Sequence, residues 1–222
     1  MVYNRGTVGT FEKWANDVDD GTWNWNGVYP YYLKSPHFMP ANSKLRAANA
    51  SVGLVDDTAS FSKNGGPLQV GYSNFQQPWS SFFPQGYEEV GIPFLDQGIS
   101  SGYLNGYAST TLTIDPTEQT RSSSETSFLR EALVNTNLVV YTHALAKRIW
   151  FDTDKKATSV LVDVAGMQFY LNATREMILS AGVFQSPQLL MVSGVGPKAT
   201  LDQHNIPFIA DRPGVGQNMW VS

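Results

Sequence analysis

Ser180-Ala181-Gly182-Val183-Phe184-Gln185-Ser186-Pro187-Gln188-Leu189-Leu190-Met191-Val192-Ser193-Gly194-Val195-Gly196-Pro197 is the most ordered signal in this chain of 222 residues. The residues that lead into it, Arg175 to Gly182, are short, mostly apolar and end on glycine, the pattern of a buried parallel strand. Ser186 followed by Pro187 predicts a helix start, with a hydroxyl at the N-cap and a proline ring at the first position. Gly194 predicts its end. A glycine at the strand end lets a backbone pass close to a ligand. On spacing alone, a generic strand–turn–helix unit without a ligand is the simpler reading.

Working back from this stretch, the second half is β-rich. Strands are expected at Leu138–Tyr141, Ala146–Phe151, Ser159–Val164 and Gln168–Leu171, the last two joined by a hairpin at Ala165-Gly166. Further back, Ser124 is expected to cap a helix running to Val134. Tyr107–Ile114 reads as a strand, Phe82–Val90 as a helix and Leu68–Val70 as a strand after the Asn64-Gly65-Gly66-Pro67 turn. Short helices are expected at Thr10–Asn16, at Tyr29–Lys34 with Pro30 in the first turn, and over residues 41–58. Beyond Gly194, Lys198–Asn205 reads as a last short helix. The aromatic group Trp14, Trp23, Trp25, Tyr29, Tyr31 and Tyr32 suits either a substrate path or a small core, and core is expected for most of it.

Composition narrows the function. The net charge is −4, no Lys/Arg cluster stands out, and there is no cysteine. Nucleic acid and anionic membrane are therefore not expected partners. Disulfide scaffolds, thiolate metal sites and cysteine nucleophiles are excluded. No stretch is long and apolar enough to span a membrane, and the opening residues do not read as a secretory leader. The sequons Asn49-Ala50-Ser51 and Asn172-Ala173-Thr174 arise readily by chance.

Ser180 to Pro197 closely resembles the second signature of the glucose–methanol–choline oxidoreductases, with Val183 where a small residue is usual. Tyr3-Asn4-Arg5-Gly6 through Trp14-Ala15 resembles the segment just after that family's first signature. Trp23-Asn24-Trp25 through Lys34-Ser35 resembles the next block, although Pro36 stands where an acid is common. Arg121-Ser122-Ser123 and Asp211-Arg212-Pro213-Gly214-Val215-Gly216-Gln217-Asn218 extend the resemblance in the same order over nearly the whole chain. It is strongest to fungal members, including those of secondary metabolism.

The resemblance implies an α/β (α+β mixed) fold, in which part of a Rossmann-like FAD domain is combined with part of an antiparallel-sheet substrate domain. It implies an FAD-domain and lid portion at 1–64, a substrate-domain portion at 65–135 and a further FAD-domain portion at 136–222. The implied reaction is hydride transfer from a small-molecule alcohol to FAD, with a histidine taking the hydroxyl proton. A rival on the same fold is a non-redox cyclisation with loss of water. Ala181, Gly182 and the backbone of Leu145 are the implied FAD contacts, and Met1 and Val2 are implied to lie along the flavin.

In the family, the glycine-rich pyrophosphate turn precedes the position of Met1, and the histidine base follows that of Ser222. No catalytic residue is therefore assigned within the chain. Val221-Ser222 stands where the family continues with Asp-His, an ending that a read-through splice donor would encode. The expectation is an internal portion of a two-domain flavoenzyme that neither holds FAD stably nor oxidises alcohols by itself.

Three motifs are set aside. Gly194-Val195-Gly196-Pro197-Lys198-Ala199 matches a dinucleotide pattern but follows a helix instead of a strand. Gly98-Ile99-Ser100-Ser101-Gly102, with Asp163 and His204 downstream, matches a hydrolase nucleophile elbow but has no convincing helix after it. His37, His143 and His204 lack metal-ligand spacing. His37 is expected in a loop, His143 at a strand end and His204 at a helix end.

Overall fold

The computed structural model describes residues 1–47, 50 and 60–219. The chain is a mixed α/β protein that divides into two compact units, Met1–Leu138 and Val139–Ser222.

In the first unit, β1 (Val2–Tyr3) pairs antiparallel with β4 (Thr111–Leu112). The helix α1 (Val8–Asp17) is capped by Thr7, whose hydroxyl accepts the N–H of Thr10 at 3.1 Å. A 3-10 turn at Gly21–Trp23 leads into α2 (Trp25–Lys34), capped by Asn24. The Thr7, Asp20 and Asn24 side chains satisfy N–H groups that a helix start leaves without partners. Next, β2 (Pro36–Phe38) and β3 (Leu68–Val70) pair in parallel, with Phe38 opposite Val70. Their buried side chains seed the core. Phe38 stacks on Phe61 at 4.8 Å and meets the edge of Tyr72 at 6.0 Å, with Val70 fully enclosed. Such aromatic pairs add about 0.5–1.5 kcal/mol each beyond the area that they bury. A 3-10 turn at Pro78–Phe82 runs into α3 (Phe83–Glu89), and a π-helical turn at Glu125–Leu129 runs into α4 (Arg130–Asn135).

Arg5 fastens this unit from inside. It is only 3% exposed. Its guanidinium donates to the carbonyls of Ser60, Ser100 and Tyr32 and lies 4.7–5.7 Å from the ring centres of Tyr3, Tyr29, Tyr32 and Phe61. A planar cation with a fork of donors suits both kinds of partner.

The second unit is built on an antiparallel meander, β5 (Leu145–Phe151), β6 (Ala157–Val164) and β7 (Met167–Asn172), in that spatial order. The β6–β7 hairpin turns at Ala165 and Gly166, both at positive φ, as a two-residue type I′ turn requires. Asp163 closes it by accepting the N–H of Gly166 at 2.9 Å. The helix α5 (Gly182–Val192) packs on β5. The short strands β8 (Val195–Gly196) and β9 (Ala210–Asp211) pair in parallel through the crossover helix α6 (Lys198–Gln203), whose Leu201 is fully buried.

Several expectations are corrected. Residues 175–180 form no strand and pair with no described strand, and Ile178 is 78% exposed. A parallel strand exists only through hydrogen bonds to neighbours, and the described residues supply none here. Leu138–Tyr141 is unpaired for the same reason. The helix α5 starts at Gly182, one turn before Ser186 and Pro187, which therefore sit inside it. The Ser186 hydroxyl still reaches back to the helix start and accepts the N–H of Ala181 at 2.9 Å. The helix α2 likewise begins four residues early, with Pro30 in its interior.

Ser124 makes no side-chain cap. The reciprocal pair is Ser123 and Thr126, each hydroxyl accepting the other residue's N–H, at 3.2 and 2.8 Å. Only Thr111–Leu112 of the expected 107–114 strand forms a ladder. Residues 41–47 make turns instead of a helix, and the remainder of the 41–58 helix, apart from Ala50, lies outside the described residues. So do Asn49 and Ser51 of the first sequon, and Val221-Ser222. His37 is not in a loop but at the centre of β2.

Candidate functional site

The site is assembled from the beginning of β5 and the first turns of α5. Leu145 opens β5, the outer strand of the meander, and an edge strand presents half of its backbone polar groups outward. The chain arrives at α5 through Ala181 and turns at Gly182, whose φ of +87° is a conformation that L side chains rarely adopt. A Cβ built on Gly182 meets nothing within 4 Å. The glycine is therefore demanded by the backbone angle and not by crowding.

Between these two segments lies a cavity of about 400 Å³. One wall is Ala144 with the start of β5, Leu145 to Lys147, and the other is Ala181 with Gln185, Gln188, Leu189 and Val192 of α5. Leu145 and Ala181 thus line one cavity, with Gly182 next in the chain. Met1 and Val2 do not line it. They lie in the first unit, where Met1 is 49% and Val2 60% exposed and β1 is held by the Thr111 hydroxyl donating to the Tyr3 carbonyl at 2.7 Å.

Its described lining carries one cation, Lys147, two carboxamides and apolar groups, with no carboxylate, histidine or hydroxyl among them. Amides offer both donors and acceptors to a heteroaromatic edge, while Ala, Leu and Val offer flat apolar contact. Such a set is suited to binding and orienting a ligand. Gln185 and Gln188 escaped the sequence reading because it placed the helix start at Ser186, which puts Gln185 outside the helix. With the start at Gly182 they fall three apart on the face shared with Ala181 and Val192.

The set-aside motifs stay set aside. Ser100 is fully buried among turns, without the strand and helix of an elbow. Asp163 serves the β6–β7 hairpin, and His204 is the C-cap of α6. Gly194 follows α5, as the helix-stop reading requires. Among the described residues no group of His, Cys, Asp or Glu is placed to hold a metal ion, and no helix is long and apolar enough to cross a membrane.

The aromatic group of the first unit corrects a further expectation. Trp14, Trp23 and Tyr31 are 48%, 44% and 69% exposed, and with Tyr32 they form the wall of a cavity instead of a core.

Comparison with known proteins fits this architecture. The chain is 49% identical over 219 residues to patulin synthase of Penicillium expansum, matching 99% of itself and 34% of that protein. It is 42% identical over 220 residues to versicolorin B synthase of Aspergillus parasiticus, again 99% of itself and 34% of the relative. It thus spans about a third of the length of these curated relatives. Among solved structures, an FAD-dependent oxidoreductase from Chaetomium thermophilum superposes on 96% of this chain and 36% of its own, with a TM-score of 0.85 at 28% identity. The sequence profile of the GMC oxidoreductases matches residues 1–221, and the chain belongs to that family.

Proposed function

We propose that the protein to which this chain belongs is an FAD-dependent oxidoreductase that acts on the CH–OH group of a small alcohol. In this reading the β5–α5 cavity holds the adenosine end of the cofactor. The supporting observation is the convergence of Leu145 and Ala181, from segments 36 residues apart in number, on one cavity whose size suits a nucleoside and not a whole dinucleotide. Backbone groups at Leu145 and the carboxamides of Gln185 and Gln188 would meet the adenine edge. The positive φ of Gly182 turns the chain away, so that the ligand can lie against backbone. Met1 and Val2 would lie along the flavin. FAD, when bound, supplies the acceptor for a hydride from the alcohol carbon. The residues of the cavity bind and orient.

The relatives at 49% and 42% identity are both named synthases, and a second reading stays in view, a non-redox cyclisation with loss of water on the same scaffold. One experiment addresses both readings. The purified full-length protein is desalted, its flavin absorbance is measured, and alcohols are added without oxygen. Retained flavin that bleaches with an alcohol supports the oxidoreductase. Retained flavin that no alcohol bleaches favours the cyclase. Loss of all flavin rejects the cofactor assignment.

A further inference from the structure

We propose that the cavity between α1, the Gly21–Trp23 turn and α2 is a binding site for a neutral, planar aromatic molecule. Its volume is about 750 Å³, within the range of small-molecule sites. Phe11, Trp14, Trp23, Val28, Tyr31 and Tyr32 supply the apolar wall, the hydroxyls of Thr22 and Ser35 add polar points, and none of the described lining residues is charged.

The wall is built, not incidental. The Trp14 and Trp23 indoles lie parallel, 5.4 Å apart with 8° between their planes. A stacked pair of this kind leaves outer faces suited to another flat ring. Trp23 is fixed by its turn, because Asp20 accepts both the N–H and the hydroxyl of Thr22, at 2.9 and 2.7 Å. The approach of α2 to that turn depends on Gly27, where any Cβ would collide with the Thr22 carbonyl. On the inner side Phe11 is buried and meets the edge of Tyr32 at 5.8 Å, which gives the cavity an aromatic floor.

Charge selects the class of ligand. Aromatic walls also attract cations, but no carboxylate is among the described lining residues, the neighbouring Asp20 carboxylate is taken up by Thr22, and the Lys34 ammonium already sits 5.1 Å from the Tyr31 ring. The Tyr32 phenol is held neutral, since burial pushes its pKa up and nearby Tyr3 adds to the shift. It stays a hydrogen-bond donor at physiological pH. The inference stands apart from the flavin reading, because none of the lining residues is one of those assigned to the cofactor.

Calorimetric titration of the full chain with β-naphthol, cyclohexanol and tetramethylammonium tests it. Saturable binding of β-naphthol is expected, weakened roughly three- to tenfold by Trp23→Ala and by Tyr31→Ala, as the loss of one stacked ring implies. Tyr31 is largely exposed, so its variant decides the matter if Trp23→Ala fails to fold. Absence of β-naphthol binding, equal affinity for cyclohexanol, preference for tetramethylammonium, or unchanged affinity in Tyr31→Ala would each overturn the proposal.

Discussion

The Ser193 hydroxyl accepts the backbone N–H of Ile149 at 2.8 Å, and so ties the C-terminal turn of α5 to the outer edge of β5. The same oxygen donates to the Leu189 carbonyl at 2.5 Å, and Ser193 is 1% exposed. One buried hydroxyl therefore fixes the spacing of the two walls of the candidate cofactor cavity. Ser193→Ala removes the acceptor and leaves the Ile149 N–H buried without it. A stability loss of about 1–3 kcal/mol is expected, read from the urea midpoint, together with weaker flavin retention. An unchanged midpoint would mean that α5 is held on β5 by packing alone.

Gly182 is expected to tolerate no side chain, for a conformational reason. At φ +87° an L residue is strained although the space around it is open. Gly182→Ala should cost about 1–2 kcal/mol, and Gly182→Val should lose flavin altogether, measured as absorbance after desalting. A Gly182→Val protein with a full flavin spectrum would contradict the placement of the cofactor against this turn.

Leu145 distinguishes backbone from side-chain recognition. Its side chain is 62% exposed. Leu145→Val should therefore leave FAD affinity within about twofold, whereas Leu145→Pro removes an N–H and constrains φ at the start of an edge strand. Large and equal losses in both variants would show that the leucine side chain carries the contact.

Arg5 is a buried cation satisfied by carbonyls and rings. Lysine keeps the charge but offers no planar fork. Arg5→Lys should lower stability by roughly 2–3 kcal/mol, the scale of charge-assisted hydrogen bonds to the Ser60, Ser100 and Tyr32 carbonyls. Chemical denaturation of the two proteins compares them directly, and equal stability would mean that the rings alone hold this position.

What could be read from the sequence follows from where each signal originates. The β6–β7 hairpin was legible because Ala165-Gly166 encodes its own turn, and α6 because its period and its end are local. The strand expected at 175–182 was not, because a parallel strand is defined by neighbours and these residues carry none of that information. The start of α5 was misplaced because Ser186-Pro187 is a strong local start signal. In the structure, the positive φ of Gly182 opens the helix a turn earlier and the serine caps from within. Leu145 and Ala181 stand out in the sequence only through the family resemblance. Their shared cavity, and the two glutamines between them, needed the packing of α5 on β5.

Asp20 gives the first unit a defined response to acid. Its carboxylate is held below the usual aspartate range, first by the Thr22 hydroxyl and then by the Thr22 N–H. A carboxylate with a depressed folded-state pKa contributes stability above its unfolded pKa and loses it as pH falls through the folded value. The Gly21–Trp23 turn should therefore stay closed through the ordinary aspartate range and loosen only in stronger acid. Trp23, stacked on Trp14, reports the change as a shift in tryptophan emission. Asp20→Asn keeps the acceptor oxygen without the titrating charge and should remove the acid step, with little effect at neutral pH. A step at or above the ordinary aspartate range, or one that persists in Asp20→Asn, would show that another group controls the turn.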